Sequence, residues 1–419
     1  MMNLSTRRDF LRVGSLAFGG LNLSSLLAAE AGQRSERSCI VIFQNGGASQ
    51  LDFFDPKPEA PADIRGSFGS VATSVPGIHF SGLLPRTAKA LDKFAVIRSM
   101  HSDEAIHERA RQYIFSGTKP RNDILHPSYG AVMSKERGGK NGLPPFVVIP
   151  DKDLSAEAGF LGSAHDPFIT GDPNAKNFAV KDLTLPAGVS AEESRVRRAL
   201  LARMDSEFQK ATESPLLGEL DEFSQKALDL IASPAARKAF DMQAEPDKLR
   251  DAYGRTGVGQ GCLLARRLIE AGTRLATVFH GGYDTHREHE KGAKRLTPDF
   301  DQAFPTLLED LSQRGMLSTT LVLVIGDFGR TPRINFSGGR DHWPRGFSVG
   351  LAGAGILGGA VVGRSDAQAA EPVERPVTIE DLGATVYRAL GIDAHKEYRV
   401  NGRPVRINKD GVAVRELFG

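Results

Sequence analysis

The chain has little cysteine and little net charge, and each scarcity excludes a class of protein. Its 419 residues contain two cysteines, Cys39 and Cys262, both inside apolar runs and neither in a CxxC or Cys/His pattern. A disulfide-stapled fold and a zinc ribbon are therefore excluded. The formal net charge is +2, and the basic residues are scattered rather than grouped in a stripe. We therefore expect no nucleic-acid partner.

Two enzyme motifs and long apolar segments are also missing. The GxxxxGK[ST] sequence of P-loop proteins and the HExxH sequence of zincins do not occur. Beyond the N-terminal 31 residues, no segment is apolar over the length that a membrane-spanning helix needs. We therefore expect a mature protein with no stable membrane anchor.

The N-terminus carries the pattern of an export signal. Residues 5–29 read STRRDFLRVGSLAFGGLNLSSLLAA, with the paired arginines Arg7 and Arg8 before a short, weakly apolar stretch that ends in small residues. This order predicts a twin-arginine signal peptide over residues 1–31, and an amphipathic helix is the alternative interpretation. The expected partner is the twin-arginine export machinery. The expected location is periplasmic or secreted.

The rest of the chain alternates between short apolar runs and helical patterns, which is typical of an α/β protein. The runs have no polar alternation, as expected for buried parallel strands. We predict one domain over residues 32–419, with a helical insertion at about 186–256. The predicted fold is a doubly wound, mostly parallel sheet with helices on both faces. The strand-like runs are SCIVIF (38–43), FAVIRSM (94–100), PFVVIP (145–150), TRLATVFH (273–280) and TTLVLVIG (319–326).

Carboxylate and imidazole side chains follow three of these runs. Asp284 and His286 come after the fourth run, Asp327 comes directly after the fifth, and Asp52 follows the first at a short distance. Open α/β sheets build their sites at the carboxyl ends of the strands, so these side chains are expected to converge. His342, in the loop GRDHWP, is expected to join them. Oxygen and nitrogen ligands in this mixture suit zinc, manganese or a related divalent ion.

Each of these side chains also has a structural interpretation when it is taken alone. Asp284 and Asp52 have the pattern of carboxylates that cap turns, and Asp327 that of a buried acceptor of backbone N–H groups. Arg330 has two open roles, because its guanidinium can bind an anionic substrate or pair with a carboxylate. His289 lies among charged residues in REHEKG, and we expect it to be solvated.

Five segments occur in an order that resembles the alkaline-phosphatase and sulfatase superfamily. Within it, the chain is most similar to a bacterial family of sulfatase-like proteins of unassigned function that carry a twin-arginine leader. The resemblance covers essentially residues 38–395. The five segments are NGGASQLD, SMHSDEAIH, YDTH, DFGRTP and GRDHWP.

The resemblance implies a site for two divalent ions about 4 Å apart, as in two-metal ester hydrolysis. One ion would be held by Asp52 and Asp327, and the other by Asp284, His286 and His342. The implied metal is zinc, or calcium, magnesium or manganese, as one or two ions.

The same resemblance leaves the nucleophile open. The superfamily places a Ser, Thr or modified Cys at the start of the helix that ends here in IFSG, and this sequence has His107 in that place. Ser102 is the alternative nucleophile, expected at the helix N-terminus where exposed N–H groups favour anions. His107 would then be an additional metal ligand. Phe328 occupies a position where the superfamily commonly has His or Asn, and Arg330 completes the catalytic candidates.

Two hypotheses follow for the function. The leading one is an exported metal-dependent hydrolase that acts on phosphate or sulfate esters of small molecules or carbohydrates. The competing one is a catalytically inactive, sulfatase-like binding or scaffold protein that keeps the metal cleft without the nucleophile. A pocket without any metal is a third and weaker idea.

Overall fold

A computed structural model describes residues 36–151, 157–180, 230 and 233–419. The predicted signal peptide, residues 1–31, lies outside the described residues. Most of the predicted helical insertion lies outside them as well, since the structure describes only residue 230 and residues 233–256 of that segment.

Strands form where the sequence has β-branched and aromatic runs, which suit a pleated surface. Numbered in chain order within the described residues, they are β1 Ser38–Asn45, β2 Ser70–Ala72, β3 His79–Ser81, β4 Phe94–Met100, β5 Phe146–Ile149, β6 Phe168–Ile169, β7 Leu275–Gly281, β8 Thr320–Gly326, β9 Gly329–Arg330, β10 His342–Trp343, β11 Phe347–Ala352, β12 Val361–Val362, β13 Arg364–Ser365, β14 Pro372–Glu374, β15 Glu397–Val400 and β16 Arg403–Arg406.

Eight of these strands form the central sheet, in the order β12-β4-β11-β8-β1-β7-β5-β6. Strand β1 lies between β7 and β8 and is parallel to both. Strand β11 runs antiparallel to both of its neighbours, β4 and β8. The sheet is therefore mostly parallel, as the sequence predicts. The remaining strands form two-stranded sheets: β2 with β3, β9 with β10, β13 with β14, and β15 with β16.

Nine α-helices lie in the described part of the chain. In chain order they are α1 Ala62–Arg65, α2 Pro85–Lys89, α3 His107–Ser116, α4 Tyr129–Arg137, α5 Pro234–Phe240, α6 Asp247–Tyr253, α7 Gly257–Ala271, α8 His289–Gln313 and α9 Ile379–Leu390. Short 3₁₀ turns occur at Leu91–Lys93, Gly159–Leu161, Ser163–His165, Met242–Ala244 and Arg415–Leu417.

The helices cover both faces of the sheet, and β1 shows this directly. Successive side chains of a strand point to opposite faces. Ile40 and Ile42 belong to the apolar core that includes α7 and α8. Val41 and Phe43 belong to a second core, which includes α3, α4 and α9. The predicted doubly wound α/β fold is confirmed.

Helix α3 begins later than the sequence suggests. Its first residue is His107, and the preceding Ile106 makes no side-chain cap. The hydroxyl of Ser102 instead accepts a hydrogen bond from the backbone N–H of Glu104 at 3.2 Å. Such local side-chain bonds compete with helix formation, so the segment before His107 is not helical. Within the described ranges, no helix combines the length and apolar character needed to cross a membrane.

Candidate metal centre

The carboxyl ends of β1, β7 and β8 lie side by side at one edge of the sheet. Asn45 at the end of β1 pairs with Gly281 of β7, and Gly326 of β8 pairs with the residue before Asn45. The loops that leave the three strands therefore start almost level with one another. Asp327 comes directly after β8, and Asp284 comes three residues after β7. The topology thus places both carboxylates on the same edge, as the strand-end rule predicts.

Two glycines let the loop after β1 lie against the other two loops. Gly46 and Gly47 have φ values of 105° and 81°, a region that side chains rarely adopt. A Cβ atom on Gly46 would lie 2.4 Å from the backbone nitrogen of Asp284, and one on Gly47 would lie 2.5 Å from the carbonyl oxygen of Phe328. The NGG sequence is therefore required by the close contact between loops.

Asp284, His286 and His342 converge above this edge. The Oδ1 atom of Asp284 lies 3.0 Å from Nε2 of His286 and 3.2 Å from Nε2 of His342. The two Nε2 atoms lie 3.0 Å from each other. In a tetrahedral zinc site, metal–ligand distances of 2.0–2.1 Å place neighbouring ligand atoms about 3.3 Å apart. The spacing of the three atoms is that of a coordination sphere.

The other nitrogen of each imidazole has a fixed partner. His342 Nδ1 donates to the carbonyl oxygen of Ala105 at 2.8 Å, and His286 Nδ1 lies 2.6 Å from Oδ1 of Asp341. The hydrogen bond from His286 lowers the pKa of Asp341, so Asp341 accepts and His286 donates. Both Nδ1 atoms thus carry hydrogen, and in the neutral rings both Nε2 atoms present bare lone pairs.

The electrostatics favour the form that binds a cation at Asp284 and at His342. Burial lowers the pKa of His342, which favours its neutral ring. Burial raises the pKa of Asp284, but the hydrogen bond and charge of Arg330 outweigh it and lower that pKa to about 2. With both rings in the tautomer that carries hydrogen on Nδ1, a carboxylate oxygen and two bare imidazole nitrogens point at one another. Arg330 offsets the charge of Asp284 from one side, and a cation among the three atoms would remove the repulsion that remains between the nitrogen and oxygen lone pairs.

His107 is a fourth candidate ligand, at the first residue of α3. One atom from each of His107, Asp284 and His342 falls within a group whose members all lie within 4.8 Å of one another. Both ring nitrogens of His107 are buried, and neither forms a hydrogen bond. Its Nε2 lies 3.5 Å from Asp284 Oδ1, and its Nδ1 lies 3.5 Å from Asp327 Oδ1. The contact with Asp327 raises the pKa of His107, although burial opposes this.

Asp327 is fully buried and already has two donors. Its Oδ1 accepts from Nε of Arg111 at 2.6 Å, and its Oδ2 accepts from the backbone N–H of Gly46 at 2.6 Å. Arg111 lies on α3, one turn beyond His107. A guanidinium charge thus compensates the carboxylate that the resemblance assigns to a second metal ion.

Asp52 lies in a different, buried network. Its Oδ2 is 3.0 Å from Nε of Arg340 and accepts from Nε2 of His289 at 2.8 Å. Burial raises the pKa of Asp52, but the charge of Arg340 and the hydrogen bond from His289 lower it overall. Among the described residues, no hydrogen bond, ion pair or group of candidate ligands joins Asp52 to Asp327. The expectation that His289 is solvated is wrong, because the residue is only 7% exposed.

Arg330 pairs with a carboxylate, the second of the two roles considered for it. The side chain is fully buried. Its Nε donates to the carbonyl oxygen of Gly47 at 3.1 Å, and Nη1 to that of Arg340 at 3.0 Å. Its Nη2 donates to Gly46 and, at 2.6 Å, to Oδ1 of Asp284. Because these acceptors surround the guanidinium, the expectation that Arg330 binds an anionic substrate is corrected: it holds Asp284 in place.

Ser102 does not stand at a helix N-terminus. Helix α3 begins five residues later, at His107. The backbone N–H of Ser102 donates to the carbonyl oxygen of Pro344 at 2.8 Å, and its hydroxyl is engaged with Glu104. The proposed activation of Ser102 by helical N–H groups therefore has no structural basis.

A family model matches residues 36–418, which is most of the chain. It is described as a protein of unknown function, DUF1501. The chain belongs to the DUF1501 family. No curated protein matches it.

Solved structures similar to this DUF1501 chain are distant. PsFucS1 sulfatase from Pseudoalteromonas sp. is 14% identical, with a TM-score of 0.42, over 95% of this chain and 75% of that one. A protein in the alkaline phosphatase superfamily from Vibrio parahaemolyticus is 12% identical, with a TM-score of 0.38, over 85% and 67%. The phosphonate monoester hydrolase SpPMH from Silicibacter pomeroyi is 12% identical, with a TM-score of 0.35, over 90% and 76%. Similarity at this level does not show a shared activity.

The donor set of the DUF1501 site fits a divalent cation with a preference for nitrogen. Three imidazoles and one carboxylate suit zinc and its transition-metal neighbours. Calcium and magnesium prefer shells built from oxygen. Two observations support this fit. The ring nitrogens of His107 have no hydrogen-bond partner, and the Nε2 atoms of His286 and His342 lie 3.0 Å apart.

Three residues of the site could not be recognised in the sequence of this DUF1501 protein. Arg111 and His289 occur in charged helical segments, where solvent exposure is the ordinary expectation. Arg340 lies in a glycine-rich loop. Their partners are far away in the chain. The separations are 216 residues for Arg111 and Asp327, 237 for His289 and Asp52, and 288 for Arg340 and Asp52. No local pattern reports contacts of this range.

A serine-hydrolase pattern also occurs without its structural setting. Residues 346–350 read GFSVG, which matches GxSxG. The nucleophile of such an enzyme stands on a sharp turn between a strand and a helix. Here Ser348 lies inside β11, in the central sheet. The pattern therefore does not mark a nucleophile.

Proposed function

We propose that this DUF1501 protein is a metal-dependent hydrolase of phosphate or sulfate esters. The proposed ligands of its cation are Asp284, His286, His342 and His107. The observation that carries the proposal is the meeting of three acceptor atoms at 3.0 to 3.2 Å without a donor among them. The order of sequence segments shared with the alkaline-phosphatase and sulfatase superfamily supports the choice of ester.

We propose one cation rather than two. Asp327 is neutralised by Arg111, and Asp52 pairs with Arg340 and His289. Asp284 also pairs with an arginine, Arg330, but it differs from both in facing the imidazole nitrogens of His286 and His342 at 3.0 and 3.2 Å. Zinc is the preferred occupant because of the three imidazoles.

The residues around the proposed cation orient its ligands and exclude solvent. When bound, a divalent cation supplies a Lewis acid for the ester oxygens and makes water a stronger nucleophile. Ala105 and Asp341 hold the rings of His342 and His286 in orientation through their Nδ1 atoms. Phe328 is buried, and its ring centre lies 4.5 Å from that of His342. It keeps solvent away from that side of the ring.

The proposal includes export. The twin-arginine pattern in residues 1–31 supports delivery of the folded protein to the periplasm or beyond. This route fits a protein whose metal is bound before transport. The substrate would then be an ester of a small molecule or carbohydrate outside the cytoplasm.

Hydrolysis by the zinc-loaded full-length protein tests the proposal. Aryl phosphate and aryl sulfate are the probes, and release of the aryl alcohol is measured with and without chelation. We expect turnover of at least one ester, its loss on chelation, and its recovery when zinc is restored. Turnover that survives complete metal removal would refute the metal dependence.

A second candidate is a binding protein without catalysis, and the residue at the nucleophile position favours it. The described cluster contains His107 where the superfamily has a hydroxyl or modified cysteine, and Ser102 is engaged elsewhere. Stoichiometric zinc without turnover of either ester would support this candidate.

The Ser102→Ala variant distinguishes two possible nucleophiles of the enzyme. We expect unchanged turnover if water is the nucleophile and a complete loss of turnover if Ser102 is.

A further inference from the structure

One buried carboxylate, Asp52, contacts a residue next to each of the two segments that carry Asp284, His286 and His342. It lies in the loop after β1, and its side chain is 4% exposed. Its Oδ2 accepts a hydrogen bond from Nε2 of His289 at 2.8 Å and forms an ion pair with Nε of Arg340 at 3.0 Å. These two partners lie in different segments of the chain, His289 after β7 and Arg340 after β8.

The first partner fixes the loop that carries Asp284 and His286. His289 is the first residue of α8, directly after that loop. Its other ring nitrogen, Nδ1, lies 2.6 Å from the hydroxyl of Thr285. Thr285 stands between the two candidate ligands in the chain. Asp52 is therefore linked through His289 to the side chain of Thr285, the residue between Asp284 and His286.

The second partner fixes the loop that carries His342. Arg340 is fully buried and lies two residues before His342. Besides its contact with Asp52, its guanidinium donates through Nη2 to the carbonyl oxygen of Ile64 at 2.8 Å. It also donates through Nη1 to the carbonyl oxygens of Thr331 and Pro332. The start of the GRDHW segment is thus held at several points.

The two loops also contact each other directly. The backbone N–H of Arg340 donates to the carbonyl oxygen of Thr285 at 3.0 Å. Asn335 donates to the carbonyl oxygen of His286 at 3.1 Å. A Cβ atom on Gly339 would lie 1.9 Å from that same oxygen, so the backbones meet there without room for a side chain. The loops form one unit, and Asp52 lies beneath it.

We propose that Asp52 is a positioning residue that sets the spacing of the metal ligands by binding His289 and Arg340 together. The inference rests on the proposed metal site and extends it to a residue that does not touch the cation. It replaces the role of metal ligand that the sequence resemblance implies for Asp52. Loss of the carboxylate would leave the buried charge of Arg340 without its partner and free the two loops to move apart.

The chain offers a matched control for this proposal in Asp55. It lies three residues from Asp52 in the same loop, and its side chain is 2% exposed. It too is paired with cations, Lys57 at 3.0 Å and Arg98 at 3.7 Å, and its Oδ2 accepts from the hydroxyl of Ser365. None of these partners lies in the two ligand-bearing loops. Replacing Asp55 therefore removes a buried paired carboxylate without touching the proposed link.

Zinc affinity of the full-length protein is the primary measurement, with competition against a chelator of known affinity. We expect Asp52→Asn to weaken zinc binding about 10–100-fold, the usual effect of removing a residue that orients metal ligands. We expect Asp55→Asn to leave the affinity unchanged. The visible spectrum of the cobalt-substituted protein supplies a second readout, and only Asp52→Asn should alter it, because the spectrum depends on ligand geometry.

Two milder variants keep the test decisive if Asp52→Asn does not fold. His289→Gln and Thr285→Val each break one step of the link to the first loop, and each should weaken zinc binding in a protein that still folds. Unchanged zinc affinity in folded Asp52→Asn, or in both milder variants, would overturn the proposal. An equal loss in Asp55→Asn would overturn it too, since the effect would then not depend on the link. If the wild-type protein binds no zinc, the proposed function itself fails, which is a different result.

Discussion

Two clusters of charged side chains in this protein differ in one respect. The first is the candidate metal centre at the carboxyl ends of β1, β7 and β8. The second lies among α6, α7 and α8, where Arg266 contacts Glu245 at 2.8 Å and Asp310 at 2.9 Å. In that helical cluster each acid also has a second arginine. Arg267 contacts Glu245, and Arg314 contacts Asp310.

The difference lies in how the charges are balanced. The helical cluster is complete without any ligand, because cations and carboxylates alternate in it. In the strand-end cluster a carboxylate and imidazole nitrogens instead point at one another, and the buried ring nitrogens of His107 have no hydrogen-bond partner. Both clusters are rich in charge, yet only the strand-end cluster has imidazole nitrogens that face each other and a carboxylate. We therefore recognise the candidate site by ligand atoms that face one another rather than by its number of charges.

Breaking the helical cluster should cost the most stability and leave metal binding intact. Arg266→Met removes a side chain that is 1% exposed and leaves two buried carboxylates with one arginine each. We expect the free energy of unfolding to fall by about 3 kcal/mol, the lower end for a broken buried ion pair. Urea unfolding measures this.

The exposed Arg255, which pairs with Asp247 and Asp251, provides the control. Arg255→Met should change stability by less than about 0.5 kcal/mol, as is usual for surface substitutions. A loss of zinc affinity in folded Arg266→Met would contradict the distinction between the clusters.

Breaking the strand-end cluster should have the opposite outcome. His286→Ala removes a proposed ligand whose side chain is 43% exposed. We expect zinc affinity to fall by more than about 100-fold, beyond the 10–100-fold typical of residues that only orient ligands. The stability of the metal-free protein should change little. Zinc titration and thermal unfolding without metal measure the two effects.

His395, an exposed histidine, is the control for that variant. His395→Ala should bind zinc like the wild type. If the two histidine variants bind zinc equally well, the strand-end cluster is not the metal site.

A pH series tests whether Asp52 is ionised in the folded protein. The expected effect on the free energy of unfolding is smaller than in the variants above. The pKa of Asp52 is lowered in the folded protein, since Arg340 and His289 outweigh the effect of burial. A carboxylate with a lowered pKa stabilises the fold above its unfolded value of 3.8, and this contribution is lost as pH falls through the folded pKa. The stability difference between wild type and Asp52→Asn should therefore be present near neutral pH and shrink in acid. A difference that stays constant or grows in acid would show that Asp52 is not ionised in the fold.

Strand-end chemistry was predictable because it depends on local pattern and a general rule of topology. The apolar runs identify β7 and β8, and the carboxyl-end rule then brings Asp284 to the edge of the sheet with Asp327. The sequence resemblance adds His342 to the same site. The sheet, its parallel character and the position of the candidate site all follow from this reasoning.

The roles of individual side chains were not predictable in the same way. His289 looks solvated among its charged neighbours, yet its partner Asp52 is 237 residues away in the chain. Arg330 resembles an anion-binding residue, but its donors are taken by the carbonyl oxygens of neighbouring loops and by Asp284. Pairing in a folded interior depends on contacts between distant segments, and residue type alone does not reveal it.

X-ray absorption spectroscopy of the zinc-loaded full-length protein tests the central claim most directly. A single cation held by Asp284 and the three histidines predicts nitrogen and oxygen scatterers at about 2.0–2.1 Å with the multiple scattering of imidazole rings. It also predicts no metal–metal distance. A second metal at about 3.5–4 Å, as in two-metal hydrolases, or a zinc shell without imidazole would contradict the account.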